Sequence, residues 1–152
     1  MFIITTLIRK LRTASRLSPS RLALFFESWL TLAAVGIALR TAPVRTVRRA
    51  LTRAGSAGGR TAVPADFLAT YQLALKNHLL RFNCLPRSLA LQRLLLRRGI
   101  EARLRIGARM VEGKLDGHAW VEVGDQPIGE QAGVAGLYPP LAGNAAQVSR
   151  WI

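Results

Sequence analysis

The stretch FNCLPRSLALQRLLLRRG, residues 82–99, predicts a helix whose first turn holds Cys84, the only cysteine of the chain. Asn83 has a side chain that commonly caps a helix N-terminus, and Pro86 falls in the first turn, where its missing N–H costs no hydrogen bond. A run of leucines fills the segment, and two arginines followed by Gly99 are typical of a helix end. This helix anchors the prediction of the fold.

The segments that follow this helix indicate strands. Residues 101–110 and 118–123 alternate apolar and polar side chains, which is the period of a strand. The residues GDQP (124–127) predict a turn into a return strand that begins with PIGE. Helices followed by antiparallel strands predict an α+β domain over residues 61–152.

The N-terminal part of the chain is strongly basic. The chain has a formal net charge of +14, and residues 1–60 hold 11 Lys and Arg against a single acid. Residues 22–39 predict a long helix that ends before Pro43, residues 44–54 a short basic helix, and residues 55–59 a flexible linker. These features predict a basic helical N-terminal region that packs on the core or flanks it.

The long N-terminal helix raises the question of a membrane. Residues 22–39 approach the length of a span, but Glu27 lies near the middle, and an acid is expensive in lipid. We therefore favour a buried core helix over a helix on a membrane surface, and least of all a span. No secretory signal precedes it, which predicts a cytoplasmic protein with membrane association as the alternative.

The composition also limits the partners and the chemistry. The arginines of the N-terminal region predict a solvated helix face, or contact with an acidic partner or an anionic membrane surface. Nucleic-acid binding is not expected, because aromatic residues are not interleaved with the arginines. One cysteine and two histidines exclude an internal disulfide and give no metal site, and nothing implies a cofactor.

Cys84 is a candidate nucleophile. A thiol attacks as the thiolate, which a helix N-terminus stabilises through its free N–H groups and its dipole. Such a thiolate needs a base, commonly His, and an acid that orients the base. His118 begins the strand HAWVEV and is the candidate base.

The residues alone leave two candidates for the third group. Glu130 falls nearly opposite His118 across the predicted hairpin, whereas Asp125 at its tip lies about 23 Å from His118 along the strand. A two-residue tip would turn Glu130 to the other face, so this pairing requires a three-residue tip or a bulge. Asp116, predicted in the turn EGKLDG (112–117), is the alternative.

This pattern of a Cys at a helix start, a strand HAW and an acid twelve residues later resembles the transglutaminase-like (papain-like) cysteine protease fold. More narrowly, residues 82–130 resemble the B protein of lasso peptide biosynthesis, a leader peptidase. The resemblance implies Cys84 as nucleophile, His118 as base and Glu130 as the orienting acid, where the family more usually has Asp. It also implies that the enzyme removes the leader from a ribosomally made precursor peptide.

The same resemblance implies partners. The N-terminal region shows no strand alternation of the kind expected for a fused leader-recognition domain, so the chain is similar to the stand-alone protease form. That form acts with a separate leader-recognition protein and precedes an asparagine-synthetase-like, ATP-dependent cyclase.

Other functions remain open on the sequence alone. A protein of this fold could carry out acyl transfer or deamidation on another substrate, or the chain could be a basic, membrane-associated interaction protein without catalysis. His78, inside a helix predicted over residues 64–82, is a poor base because only six residues and a helix break separate it from Cys84. Gln72 and Gln92 are candidate oxyanion donors.

Overall fold

The computed structural model of the protein describes residues 18–53, 58–131 and 133–139. Helices and one antiparallel sheet make up this part of the chain, which confirms the α+β class. In chain order the elements are helices α1 (Pro19–Thr41), α2 (Val44–Arg53), α3 (Ala65–Lys76) and α4 (Cys84–Leu96), strands β1 (Arg103–Val111), β2 (Lys114–Val123) and β3 (Gln126–Ile128), and the short helix α5 (Val134–Leu137).

The first two helices begin and end where local signals place them. The Ser18 side chain accepts a hydrogen bond from the backbone N–H of Arg21, and Pro19 occupies the first turn of α1. Pro43 follows α1 and separates it from α2. Helix α2 is amphipathic, with Val47 buried and its arginines on the opposite side.

Helix α3 ends at Lys76, earlier than the sequence predicts, so the prediction that His78 lies inside a helix is wrong. The Nδ1 atom of His78 accepts the backbone N–H of Leu80 (3.0 Å), and its Nε2 atom therefore donates to the carbonyl of Trp29 (3.1 Å). The His78 ring also stacks on Trp29, with ring centroids 4.4 Å apart. These contacts with α1 stabilise a loop instead of another helical turn, and this loop leads into α4.

The sheet has the strand order β1-β2-β3. Glu112 and Gly113 form the first turn with φ of 49° and 76°, so β2 begins at Lys114. Asp116 consequently lies within β2, paired with Arg109, and the prediction that it lies in a turn is wrong. Gly124 and Asp125 form the second turn with φ of 54° and 61°, which is the two-residue connection of a tight hairpin.

The hydrophobic core lies between the helices and one face of the sheet. Leu89 and Leu94 of α4 are fully buried and share a core cluster with Ala119 and Val121 of β2. Helix α1 contributes Leu32 to the same cluster. The predicted alternation of β2 is confirmed, because its other residues project from the opposite face, where they form the contacts described below.

The proposed division of the chain at residue 60 stays a prediction. Residues 55–57 of the predicted linker, residue 54 of the predicted short helix and residues 1–17 of the basic region lie outside the described residues.

Candidate active site

Cys84 is the first residue of α4 and is half-buried, with a free thiol. Asn83 occupies the N-cap position in extended conformation, as the sequence predicts, but its side chain makes no capping hydrogen bond. Pro86 lies in the first turn, where it leaves no N–H unpaired. The thiol therefore stands at the positive end of a helix whose first turn lacks a side-chain cap.

A buried hydrogen bond joins the helix of Cys84 to the strand of His118. Ser88 lies one turn after Cys84, so the two side chains share a face of α4. The Ser88 hydroxyl donates to the carbonyl of Ala119 at 2.8 Å, and Ala119 is the neighbour of His118 in β2. This bond fixes the position of the start of α4 relative to the middle of β2.

His118 contacts the predicted acid. Its Nε2 atom lies 3.3 Å from Oε2 of Glu130, and about a fifth of each side chain is exposed (21% and 23%). Removal from water strengthens such a contact relative to a surface ion pair. The structure thus brings two of the three predicted site residues within contact distance.

Glu130 reaches His118 by a route that differs from both predicted ones. The hairpin tip has two residues, and the β2–β3 ladder ends at Val121 and Ile128. Gly129 then has φ of +74°, a conformation that side chains with a Cβ rarely adopt, and it redirects the chain beyond the strand end. Neither a three-residue tip nor a bulge is needed, because Glu130 lies outside the ladder.

Asp116 has other partners. Its Oδ2 atom accepts from Nε of Arg109 (3.0 Å) and from the hydroxyl of Tyr138 (2.8 Å). The bond from Tyr138, followed by that from Arg109, lowers the pKa of Asp116. The charge of His118 also lowers the pKa of Asp116, but by less. Asp116 therefore belongs to a neighbouring cluster and makes no hydrogen bond to the imidazole within the described part of the chain.

Tyr138 covers one side of His118. The two ring centroids are 5.0 Å apart, and the guanidinium of Arg109 lies 4.5 Å from the tyrosine centroid. The hydrogen bond to Asp116 is the main cause of the raised pKa of Tyr138, followed by burial, while the positive charge of Arg109 acts in the opposite direction. Tyr138 was missed by the sequence analysis, and its position next to a proline gave no chemical signal.

The signal that could have pointed to this cover is a glycine. Gly107 pairs with His118 across the β1–β2 ladder, and a Cβ there would clash with the carbonyl of Tyr138. The Pro139 carbonyl accepts the backbone N–H of Ala108 (3.3 Å). A glycine inside a strand commonly marks the close approach of another backbone, which is what happens here.

Trp120 and Glu122 continue the face of the sheet that carries His118. Trp120 is fully buried, and its indole N–H donates to Glu122 (2.9 Å), which also accepts from Arg105 (2.7 Å). Burial acts to raise the pKa of Glu122, but the hydrogen bonds from Trp120 and Arg105 outweigh it, so the pKa is lowered. The centroid of the Trp120 ring lies 6.2 Å from that of His118, so the indole forms part of the surroundings of the imidazole.

The remaining candidates are His78, Gln92 and Gln72. His78 stabilises the loop before α4 through its hydrogen bonds to Trp29 and Leu80. Gln92 is buried, and one N–H of its amide donates to the carbonyl of Ala102 (3.0 Å), so its role as an oxyanion donor stays a prediction. Gln72 lines a small cavity of about 30 Å³ that Glu130 also lines. The described residues contain no group of three or more His, Cys, Asp or Glu that could hold a metal ion.

Comparison with known proteins agrees with this architecture. Residues 28–142 match the transglutaminase-like superfamily, and the chain therefore belongs to it. This superfamily includes cysteine peptidases, and its members are often cysteine-based enzymes. The predicted transglutaminase-like fold is confirmed. No significant match was found among curated proteins or among solved structures.

Proposed function

We propose that the protein is a cysteine peptidase with Cys84 as nucleophile, His118 as base and Glu130 as the acid that orients the base. The contact between His118 Nε2 and Glu130 Oε2 at 3.3 Å carries the proposal. It is supported by the Ser88–Ala119 hydrogen bond, which ties the helix that begins with Cys84 to the strand of His118.

In the proposed reaction the imidazole takes the proton of the thiol. Because Nε2 faces Glu130, Nδ1 is the nitrogen left to take the proton of Cys84. The thiolate then attacks the scissile carbonyl, and the imidazolium returns the proton to the leaving amine. Water, deprotonated by the same histidine, hydrolyses the resulting thioester and frees the thiol. Glu130 stabilises the imidazolium in both halves of the cycle.

The proposed substrate is the leader of a lasso precursor peptide. This choice is supported by the resemblance of residues 82–130 to the leader peptidases of that pathway. The same resemblance supports a separate leader-recognition protein as partner and an asparagine-synthetase-like cyclase as the enzyme that uses the product.

Cleavage of a synthetic precursor peptide by the purified protein, with and without the separate recognition protein, tests the proposal by mass spectrometry. We expect poor cleavage by the protein alone and efficient cleavage with the recognition protein. Cys84→Ala should abolish cleavage while the melting temperature stays close to that of the wild type. His78→Ala is the control for the other histidine, and its melting temperature is measured alongside because His78 holds the loop before α4. Cleavage by Cys84→Ala at the wild-type rate would end the peptidase hypothesis.

Acyl transfer or deamidation is the second candidate, favoured by membership of a superfamily that is not restricted to peptidases. An acyltransferase would pass the acyl group from Cys84 to an amine, whereas a peptidase passes it to water. Cleavage in the presence of a small primary amine separates the two, because amide adducts would accumulate in place of the free acid.

A further inference from the structure

Helix α1 exposes a continuous apolar face. The exposed residues Ala23, Phe26, Leu30, Ala34 and Ile37 recur every three or four positions, which places them on one side of the helix. We call these five residues the α1 stripe. Its large side chains are 53%, 61% and 56% exposed for Phe26, Leu30 and Ile37. The stripe runs for about 21 Å along the helix at 1.5 Å per residue.

The opposite side of α1 is fixed to the domain. Leu32 and Val35 are buried there in the core. Glu27 lies at the edge of the stripe, one turn from Leu30, and forms ion pairs with Arg97 (3.0 Å) and Arg98. By length and composition α1 could cross a membrane, but this is weak evidence, since core helices of soluble proteins pass the same test. A spanning helix would have to give up these contacts. The stripe can therefore meet a membrane only along the helix, parallel to the bilayer surface.

Positive charge is concentrated in the segment that follows the stripe along the chain. No acidic residue occurs between Glu27 and Asp66, while this stretch holds six arginines. Arg45, Arg49 and Arg53 of α2 follow each other at intervals of four residues, and all three are exposed. Within the described part of the chain, none of these three forms an ion pair with an acid.

A groove lies between α1 and α2. Its volume is about 430 Å³, and its lining is mainly small and apolar, with Ala34 of the stripe and Ala50 of α2 on its walls. Arg93 and Arg97 of the neighbouring α4 segment also line it. Arg97 is paired with Glu27, and Arg93 donates to the carbonyl of Leu51 (3.1 Å), so the groove offers a lipid chiefly its apolar lining.

We propose that the α1 stripe and the arginines of α2 dock the protein on an anionic phospholipid surface. The apolar side chains enter the boundary between headgroups and acyl chains, and the arginines attract the phosphate groups of the lipids. An anionic bilayer supplies both chemistries at once over the 21 Å length of the stripe (about 1.5 Å per residue). This surface lies on α1 and α2, apart from the proposed catalytic groups, so the inference does not depend on the proposed reaction.

Sedimentation with vesicles tests the docking surface. Full-length protein is mixed with vesicles of phosphatidylcholine alone or of phosphatidylcholine with phosphatidylglycerol, at low and high salt. We expect pelleting with the anionic vesicles only, and a loss of at least tenfold in partition at high salt, because screening weakens the arginine contribution. Equal pelleting with both kinds of vesicle, or none with either, would overturn the proposal.

Surface variants locate the contact. Leu30→Gln with Ile37→Gln should reduce partition about tenfold, as should Arg45→Gln with Arg49→Gln. The matched control is Met110→Gln, since Met110 is 65% exposed and lies on β1. Circular dichroism confirms that each variant is folded.

Two results would contradict this location. The first is an equal loss of partition in the control. The second is a dimer in solution that dissociates when Leu30 and Ile37 are replaced, which would identify the occupant of the stripe as a second copy of the chain.

Discussion

Two buried serines allow a matched test of the link between α4 and the sheet. Ser88 is 6% exposed and donates its hydroxyl to the carbonyl of Ala119. Ser28 in α1 is fully buried, and its hydroxyl has no hydrogen-bond partner among the described residues. The substitutions Ser88→Ala and Ser28→Ala remove the same atom from a helix in both cases. Only the first removes a hydrogen bond.

The two changes should alter stability in opposite directions. Ser88→Ala leaves a buried carbonyl without its side-chain donor, which costs about 1–3 kcal/mol, and the higher helix propensity of Ala returns roughly 0.5 kcal/mol. We therefore expect a net loss of about 0.5–2.5 kcal/mol. Ser28→Ala removes a hydroxyl whose burial costs free energy that no hydrogen bond offsets. The substitution should therefore be neutral or stabilising by about 1 kcal/mol. The expected difference of about 2 kcal/mol corresponds to roughly 4–8 °C in melting temperature for a chain of this size.

Urea denaturation followed by tryptophan fluorescence measures both free energies of unfolding, since the chain has three tryptophans. The slopes of the two transitions should match that of the wild type, so that midpoints report stability alone. If both variants lose the same free energy, the Ser88–Ala119 bond adds nothing beyond the burial of a hydroxyl. The reasoning would then be refuted.

Three further predictions concern the site and its surroundings. Glu130→Gln should lower the cleavage rate by about 10²-fold or more, because a neutral amide does not stabilise the imidazolium. Asp116→Asn should change the rate only a few-fold, and equal losses in the two variants would contradict the assignment of the acid. His118→Ala should lower the same rate by about 10²–10⁴-fold, and full activity combined with a loss in His78→Ala would show that the wrong histidine was chosen. The lowered pKa of Glu122 contributes stability at pH values above 4.5, its ordinary value, and this contribution is lost as pH falls through the lowered value. Melting temperatures from pH 7 to pH 3 should therefore fall more steeply for the wild type than for Glu122→Gln, and parallel curves would contradict the prediction.

Local signals were sufficient for much of the fold. The start of α4 at Cys84 follows from the cap position of Asn83 and from Pro86, which are properties of adjacent residues. The alternation in β2 placed His118 on the face opposite the core, because strand periodicity is also local. In both cases the information lies within a few residues of the feature it determines.

A long-range contact accounts for one error, and an uncommon local backbone conformation accounts for the other. Helix α3 was predicted too long because apolar spacing continues past Lys76, whereas His78 is held by the carbonyl of Trp29, 49 residues away in the chain. Asp116 was misplaced because Glu112 adopts a positive φ, which is uncommon for a residue other than glycine and shortens the turn to two residues.

The position of Glu130 shows how counting along a ladder can fail next to a glycine. With a two-residue tip, strict alternation turns Glu130 away from His118, and that argument is valid only while the strand continues. The strand ends at Ile128, and Gly129 takes a φ of +74° at little steric cost, so alternation no longer applies one residue later. The carboxylate then depends on a turn instead of a ladder. Glycine immediately before the acid is thus the feature of the sequence that permits the contact with His118.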